Sequence, residues 1–290
     1  MGGEEKEMAN SREKGDKRPA RLLEMLQEME SVVVAFSGGV DSSLVLAAAL
    51  KALGRDRVMA VTAVSPTMTD AEQAEAVEVA AALGAIHYLL PTAEFDDPSF
   101  LANTKDRCYH CKRVRFMALC QWAADAGYRC VIEGSNADDT ADYRPGLKAI
   151  RELPMVRSPL LEVGFTKNDV RQLARLWNIP SCDKPSAPCL VTRLAYGLPI
   201  DAAKLRQVAQ AEAIVKKLCE GPVRVRHHGA VARIEVAPEN IAALARPEPA
   251  AEINRALRDL GFSFVALDLA GYRTGSMNEM LTDRAEYERA

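Results

Sequence analysis

The stretch VVVAFSGGVDSS, residues 32–43, constrains the fold of this chain more than any other. It begins with a β-branched, apolar run, which predicts a strand buried on both faces of a parallel sheet. Glycines follow at once, and the apolar stretch LVLAAALKAL after them ends at Gly54, a pattern typical of a helix with a glycine cap. The sequence therefore predicts a strand, a tight turn and a helix in direct succession.

The same alternation of strand and helix continues along the chain as far as residue 177. Helices are predicted at 21–30, 70–83, 111–126 and 167–177, and further strands at 58–64, 86–90 and 130–135. Alternating elements of this length predict an α/β fold with a doubly wound, mostly parallel sheet.

Beyond Gly197 the pattern changes to that of a smaller α+β domain. A helix at 202–219 precedes two alternating strands, VRVRHHG and VARIEVA, which are separated by a tight turn. Helical segments near 238–260 and the strand FVALDLA follow them. We therefore expect a disordered polar tail at 1–20, a large domain at 21–190 and a small domain at 191–290.

Composition and charge narrow the class of protein. The chain has a net charge of -3, which gives no general attraction to nucleic acid or to an anionic membrane. No apolar run approaches the ~18 residues that a membrane helix needs, and the N-terminus lacks the apolar core of a signal peptide, so we expect a cytoplasmic protein. Seven cysteines, an odd number, argue for reduced, buried or metal-binding thiols and against a disulfide framework.

The turn after the first strand has the features of a phosphate-binding loop. Ser37, Gly38 and Gly39 lie between a strand and the start of a helix, where backbone N–H groups and hydroxyls such as that of Ser42 can bind an anion. Asp41 would repel phosphate unless a cation intervenes, so it implies Mg2+. The alternative is a glycine turn with serine caps. The sequence is neither a Walker A loop nor a dinucleotide fingerprint.

This SGGVDS stretch resembles the pyrophosphatase loop of ATP-dependent adenylating enzymes, which include NAD and GMP synthetases, asparagine synthetase and tRNA thiolases. The resemblance implies the PP-loop ATP pyrophosphatase fold, which is adenine nucleotide alpha hydrolase-like. It also implies that ATP is cleaved between its α and β phosphates and that the loop holds the pyrophosphate and its metal. The residues that it assigns to this role are Ser37, Gly38, Gly39, Asp41 and Ser42.

Four further stretches and RCYHCK resemble the LarE-type sulfur transferases, which act in making the nickel-pincer nucleotide cofactor of lactate racemase. The stretches are EGSNADDTADYRPG (133–146), CDKPSAPCLVTRLAYG (182–197), RVRHHGAVARIE (224–235) and LAGYRTGSMN (269–278). The resemblance implies that ATP adenylylates a carboxylate of pyridinium-3,5-biscarboxylic acid mononucleotide and that sulfur then replaces AMP to give a thiocarboxylate. It also implies a homo-oligomer, with substrate binding and assembly in the small domain.

Several polar residues match positions that this family uses. Asp138 and Asp139 follow a strand at the carboxyl edge of the sheet, where they could hold Mg2+ or nucleotide, or act only as a turn or helix cap. Glu212 and Arg193 match catalytic positions of the family. Guanidinium groups bind phosphate and carboxylate in a bidentate way, so arginines suit an anionic substrate. The residues matched to substrate binding are Arg224, Arg226 and Arg233, with Arg273 a weaker match. Alternatively, these arginines could be charged side chains on strands that only face solvent.

The family divides by its source of sulfur. In one group a single cysteine gives up its own sulfur, and this chain has Pro188 at that position. The other group has three cysteines, here Cys108, Cys111 and Cys189, and this resemblance implies that they bind three irons of a 4Fe-4S cluster. The fourth iron would then carry a hydrosulfide obtained from a sulfide donor. Nearby cations were expected to offset the thiolate charge: Arg107, Lys112 and Arg113.

Other interpretations remain open at this level. Cys108, Cys111 and His110 could contribute to a structural zinc site with distant ligands, or the thiols could be unligated. Cys189 could give up its own sulfur. The chain could also be a tRNA thiolase, an ammonia-dependent synthetase, or a non-catalytic protein that binds zinc or ATP; balanced charge disfavours an RNA substrate. Cys182 is a possible extra ligand, and the remaining cysteines are expected in the core: Cys120, Cys130 and Cys219.

Overall fold

A five-stranded parallel sheet forms the larger part of the protein in a computed structural model, which describes residues 16–140, 145–185, 188–273 and 275–278. Its strands in chain order are β1 (Val32–Ala35), β2 (Val58–Val64), β3 (Ile86–Pro91), β4 (Cys130–Ile132) and β5 (Val156–Arg157). They are arranged in the order β3-β2-β1-β4-β5, and each neighbouring pair is parallel. The predicted α/β fold with a doubly wound sheet is confirmed.

Helices cover both faces of this sheet. They are α1 (Arg18–Glu28), α2 (Val40–Leu53), α3 (Asp70–Ala82), α4 (Pro98–Leu101), α5 (Arg107–Asp125), α6 (Pro145–Arg151), α7 (Pro159–Val163) and α8 (Lys167–Leu176). Val32 and Val34 of β1 pack against α1, α2 and α8, whereas Val33 packs against α5. Successive side chains of a strand point to opposite faces, so this apolar run has no polar alternation because both faces are covered.

A three-stranded sheet forms the second part. It contains β6 (Val223–His228), β7 (Val231–Val236) and β8 (Phe264–Leu267), with helices α9 (Ala202–Val215), α10 (Pro238–Leu244) and α11 (Pro247–Asp259). β6 and β7 are antiparallel and β7 and β8 are parallel. Gly229, with a φ of 70°, forms the tight turn of the predicted hairpin. The predicted boundary between residues 190 and 191 falls within a 3-10 helix, Leu190–Arg193.

Several element boundaries differ from the sequence prediction. α1 begins at Arg18, inside the predicted tail, because Pro19 is well suited to the first helical turn; residues 1–15 lie outside the described residues. α5 begins at Arg107 and not at the predicted residue 111, so Cys108 lies in its first turn and Cys111 begins its second turn. α9 ends at Val215, before Cys219. The short elements α6, β5 and α7 were not predicted.

The described part of the chain contains no helix long and apolar enough to cross a lipid bilayer.

Candidate active site

The SGGVDS stretch forms a tight loop between β1 and α2. Gly38 has a φ of +69°, and a Cβ there would lie 3.1 Å from the Cα atom of Ala76 in α3, so both conformation and space favour glycine. The Ser37 N–H donates to Ser42 Oγ at 3.3 Å, and the two hydroxyls are 3.1 Å apart. The loop therefore presents two hydroxyls at the N-terminus of α2, where the helix dipole favours an anion.

The end of β4 lies directly against this loop. A Cβ on Gly134 would lie 2.8 Å from the backbone nitrogen of Ser42 and 3.1 Å from Asp41 Cβ, so no larger residue fits without movement. This contact brings the polar segment after β4 to the phosphate loop. Asn136 Nδ2 donates to Asp41 Oδ1 at 3.1 Å.

Lys167 was not singled out from the sequence, yet it is the basic residue nearest to Asp41. Its Nζ forms an ion pair with Asp41 Oδ2, and its backbone N–H donates to Asp138 Oδ2 at 2.9 Å. Thr166 and Asp169 form a capping box at the start of α8, which fixes Lys167 as its first residue. A Thr-x-x-Asp sequence before a helical pattern was the signal that could have identified it.

The predicted pair Asp138 and Asp139 lies in a 3-10 segment, Ala137–Thr140. Asp139 Oδ2 accepts the Asn136 N–H at 3.0 Å, and the Asp138 N–H donates to Asn136 Oδ1 at 3.1 Å. Asp138 Oδ2 accepts the Lys167 N–H, so both carboxylates accept backbone N–H groups, as the turn and cap interpretation expects. Asp138 also faces the start of α8, so the pair lies at the carboxyl edge of the sheet together with Asp41.

The structure places Cys108, Cys111 and Cys189 at one site, although Cys189 is far from the other two in the sequence. Burial raises the pKa of the Cys108 and Cys111 thiols, that of Cys111 to about 12, and the nearby Cys189 raises both further. All seven cysteines are unpaired thiols. Among the described residues, no group of three or more His, Cys, Asp or Glu side chains is arranged to hold a metal ion.

The cations near these thiols differ in part from those expected. Arg107 and Lys112 act to lower the pKa of Cys108. Arg113 is exposed, and the positive charge that most opposes the raised pKa of Cys111 comes from Arg115, one helical turn further along α5. Cys182 packs against the core of the large sheet, and the three cysteines predicted to be structural also contact apolar clusters: Cys120, Cys130 and Cys219.

A polar bridge holds the Cys108 helix against the chain that follows Cys189. Asn103, which is fully buried, donates from Nδ2 to the carbonyls of Ala195 (2.8 Å) and Leu198 (2.7 Å). Arg107 donates to Asn103 Oδ1 at 2.6 Å and to the Leu194 carbonyl at 3.3 Å. The bridge therefore joins the two segments on which the three cysteines lie.

Arg193 and Glu212 join the Cys189 segment to helix α9 and strand β6. Arg193 is only 5% exposed, and its Nε donates to Glu212 Oε1 at 2.9 Å. Its Nη1 donates to the carbonyl oxygens of Pro188 and Cys189. Glu212 also accepts the Val225 N–H of β6 at 3.1 Å. Arg193 and Glu212, two of the three residues predicted to act in catalysis, thus orient the backbone of the third, Cys189.

Two of the three arginines on the hairpin are paired with carboxylates. Arg226 donates to Glu235 Oε2 at 2.7 Å, and Arg233 donates to Glu235 Oε1 at 3.0 Å. Arg233 also forms an ion pair with Asp268 at 3.1 Å. Glu235 is fully buried and was missed in the sequence, although its position two residues after Arg233 in β7 places both on one face.

Arg224 differs from its neighbours because it has no carboxylate partner among the described residues. It donates to the Val223 carbonyl at 2.7 Å and lies over the Tyr272 ring, 5.4 Å from its centroid. Burial lowers the pKa of Arg224, the neighbouring charges of Arg193 and Arg226 add to this effect, and the charge of Glu212 opposes it. A half-buried guanidinium without a direct ion-pair partner favours binding of an anion from outside the chain.

Comparisons with known proteins agree with this geometry. Residues 22–138 match the NAD synthase family. An uncharacterized protein of Synechocystis is 40% identical over 261 residues, which cover 90% of this chain and 97% of that protein. The pyridinium-3,5-bisthiocarboxylic acid mononucleotide synthase of Lactiplantibacillus plantarum is 39% identical over 265 residues, covering 91% of this chain and 95% of that protein.

A more distant relative matches part of the chain. It is the tRNA-specific 2-thiouridylase MnmA of Rickettsia africae, which is 28% identical over 203 residues, covering 57% of this chain and 55% of that protein. The phosphate loop, the parallel sheet and the near full-length matches point to one family. The chain belongs to the LarE-type ATP-dependent sulfur transferases, enzymes built on the PP-loop ATP pyrophosphatase fold.

Proposed function

We propose that this enzyme adenylylates a carboxylate of pyridinium-3,5-biscarboxylic acid mononucleotide and replaces AMP with sulfur to give the thiocarboxylate. The observation that carries the proposal is the contact of Arg193 with both Glu212 and the backbone of Cys189. It joins a sulfur-bearing segment to a hairpin rich in arginine. A nucleophilic sulfur and groups that bind an anionic substrate are therefore held together in one enzyme that uses ATP.

The first half-reaction uses the loop between β1 and α2. A substrate carboxylate oxygen attacks the α-phosphorus of ATP, and pyrophosphate leaves. The hydroxyls of Ser37 and Ser42 and the ammonium group of Lys167 stabilise the negative charge that develops on the leaving pyrophosphate. Asp41, Asn136 and Asp138 supply carboxylate and amide oxygens, which are the ligands that Mg2+ prefers.

The second half-reaction needs a sulfur nucleophile at the activated carboxylate. The sulfur attacks the acyl carbon, the bond from carbon to the AMP oxygen breaks, and AMP leaves with that oxygen. Arg224 is available to hold the phosphate or the second carboxylate of the substrate, because it forms no direct ion pair within the described residues. Arg226 and Arg233 are held by Glu235 in positions that extend the same basic surface.

We propose that Cys108, Cys111 and Cys189 bind three irons of a 4Fe-4S cluster. The chemistry of the donors supports this proposal, because three thiols from two segments are close enough to act on one another's pKa and none is consumed in a disulfide. When bound, the cluster would supply an iron without a protein ligand, on which a hydrosulfide from an external sulfide donor can be presented. Arg193 orients the Cys189 backbone, and Arg107 holds Cys108 beside it.

Anaerobic purification followed by iron and acid-labile sulfide analysis tests this proposal. We expect bound iron and repeated turnover with ATP, the pyridinium substrate and sulfide. Repeated turnover by an iron-free chain would contradict the cluster. Cys111→Ala is expected to lose iron but to retain pyrophosphate release that depends on the substrate, because Cys111 lies outside the phosphate loop. Sulfur transfer by Cys111→Ala at the wild-type rate would contradict the assignment.

The same samples distinguish the alternatives. Loss of hydrogen sulfide from the peptide that contains Cys189, measured by mass spectrometry after one turnover, would indicate sacrificial transfer. Pyrophosphate release that depends on tRNA or ammonia would indicate another adenylating enzyme, and no release with any substrate would indicate a binding protein. The expected homo-oligomer, assembled through the small domain, is tested by mass measurement in solution.

A further inference from the structure

A buried ion pair lies beside the three cysteines and has no part in the reaction as described so far. Glu94 is completely buried in a 3-10 segment after β3, and its Oε1 accepts from Arg115 Nε at 2.7 Å. The Ser65 hydroxyl donates to the same oxygen. Glu94 Oε2 has no hydrogen-bond partner among the described residues. A buried carboxylate with an unpaired oxygen is costly, so this pair needs an explanation beyond packing.

Three side chains fix the guanidinium of Arg115 in one orientation. Besides its bond to Glu94, its Nη2 donates to Ser65 Oγ at 2.9 Å and to Thr67 Oγ1 at 2.8 Å. Its Nη1 makes no hydrogen bond within the described part of the chain. The guanidinium is thus held rigidly by residues that follow β2 and β3, while one of its nitrogens stays available.

Two geometric features place this pair beside the thiols. Arg115 lies four residues after Cys111 on α5, so the two side chains are neighbours on one side of the helix. Thr67, whose hydroxyl accepts from Arg115, also accepts the Leu190 N–H with its backbone carbonyl at 3.4 Å, and Leu190 directly follows Cys189. The Arg115 charge accordingly opposes the raised pKa of Cys111. The guanidinium is therefore held next to both segments that carry these thiols.

We infer that Arg115 is a positioning residue for the sulfur chemistry: its fixed positive charge stabilises anionic sulfur at Cys111 and Cys189, and Glu94, Ser65 and Thr67 hold it there. This inference rests on the proposed function. Three thiolates and their bound metal carry net negative charge, and a cation in a partly buried site interacts with them more strongly than one in water. Residues that interact with metal ligands without binding the metal commonly change metal affinity and redox potential.

A positive charge that acts on the thiols and a merely structural ion pair make different predictions. Arg115→Gln leaves the negative Glu94 as the remaining charge of the pair, whereas Glu94→Gln leaves the positive Arg115. The double variant removes both charges and avoids an unpaired buried ion. If the pair serves only to stabilise the fold, both single variants should lose function to a similar extent, because each leaves one buried charge without its partner.

The experiment measures iron and acid-labile sulfide per chain after anaerobic reconstitution, together with the midpoint potential of the cluster. We expect wild type and Glu94→Gln to retain most iron, the double variant less and Arg115→Gln least, with the midpoint potential falling in the same order. Arg113→Gln is the matched control, because Arg113 is an exposed arginine two residues away on the same helix. It should behave as wild type. Thermal unfolding verifies that each variant is folded.

A second measurement does not depend on iron. Titration of the iron-free chain with Cd2+, followed by cadmium–thiolate absorbance, should show affinity about 10- to 100-fold lower for Arg115→Gln and unchanged for Arg113→Gln. Equal losses in both single variants, or wild-type behaviour of Arg115→Gln, would overturn the inference. A wild-type chain that takes up no iron would contradict the proposed cluster, while the Cd2+ titration would still decide the role of Arg115.

Discussion

At the scale of single residues, the site depends on side chains that donate hydrogen bonds to backbone carbonyl groups. Arg193 was expected to act in catalysis, and in the structure its guanidinium is occupied by Glu212 and by the carbonyls of Pro188 and Cys189. An arginine can do this because its five donors form a fixed fork. Its contacts explain how a thiol in an irregular segment keeps one position relative to α9 and β6.

Lys167 gives the most direct prediction at this scale. Lys167→Ala removes the ammonium group that pairs with Asp41 beside the phosphate loop. We expect pyrophosphate release that depends on the substrate to fall about 100-fold, as when one stabilising donor is removed from a transition state. Lys51→Ala is the control, because Lys51 lies at the far end of α2 and contacts Trp177. A Lys167→Ala enzyme with wild-type rates would contradict this role.

At the scale of elements, helix α5 determines how the two cysteines of DRCYHCKR are oriented. Residues three apart on a helix lie on the same side, so Cys108 and Cys111 are presented together by the first two turns of α5. The sequence predicted the start of this helix at residue 111, because DRCYHCKR lacks an apolar pattern. The helix begins earlier because Arg107 is buried against the chain that follows Cys189.

The bridge between these two segments yields a second prediction. Asn103→Ala removes hydrogen bonds to two carbonyl groups and places alanine at a φ of 53°, so we expect the free energy of unfolding to fall by about 2–4 kcal/mol. Cross-linking of Cys108 to Cys189 by a bifunctional thiol reagent should also decrease. Lys105→Ala, an exposed neighbour, is the control. Unchanged cross-linking in a folded Asn103→Ala protein would show that the bridge does not position the thiols.

The contact between α1 and α8 predicts how stability depends on pH. Hydrogen bonds from Arg18 and Thr166 hold the pKa of Asp169 well below its usual range. Because the value in the folded state is the lower one, the stabilisation is complete above the unfolded pKa of about 4 and is lost as the pH falls further. Asp169→Asn should lower the free energy of unfolding at pH 7 by about 1 kcal/mol.

Acid denaturation profiles test this expectation. Asp169→Asn should lose less stability than wild type between about pH 4 and pH 2, since it has no carboxylate to protonate at this position. Asp259→Asn, an exposed aspartate at the end of α11, should follow the wild-type profile. A parallel loss of stability in Asp169→Asn and wild type would contradict the contribution of this contact.

At the scale of the whole molecule, a separate apolar cluster connects the two sheets. Phe100 of α4 and Leu205 of α9 pack in it with residues of the 3-10 helix that follows Cys189, Leu190 and Val191. Leu194 then forms a β-bridge with His227 of β6. The Cys189 segment is therefore packed on both parts of the protein, which suits a site that receives ATP from one and an anionic substrate from the other.

Truncation tests the predicted organisation of the N-terminus. Removal of residues 1–15 should leave thermal stability and pyrophosphate release unchanged, because this polar segment offers nothing to a core. Removal of residues 1–28 deletes α1 with the fully buried Leu22 and Leu26. Each is expected to contribute about 2–5 kcal/mol, so the longer deletion should unfold the large domain. Loss of stability in the shorter deletion would contradict the predicted tail.

The large α/β fold and its phosphate loop could be predicted from the sequence alone, because both depend on local patterns. Buried β-branched runs, helix periodicity and a glycine turn are set by neighbouring residues, and the structure confirms the parallel sheet that they predicted. The arginine-rich hairpin could also be predicted from the sequence, because apolar and polar residues alternate in its two strands. The sequence resemblance to the family rested on motifs of the same local kind.

The contacts between residues far apart in the sequence could be identified only from the three-dimensional structure. Glu235, Lys167, Asn103 and the pair Glu94 and Arg115 were not singled out, because burial and hydrogen bonding between segments far apart in the chain leave no local pattern. Cys189 is brought to Cys108 and Cys111 by a buried bridge that no spacing encodes. Contacts of this kind depend on how complete helices and strands pack, so these residues could be assigned to the site only from the three-dimensional structure.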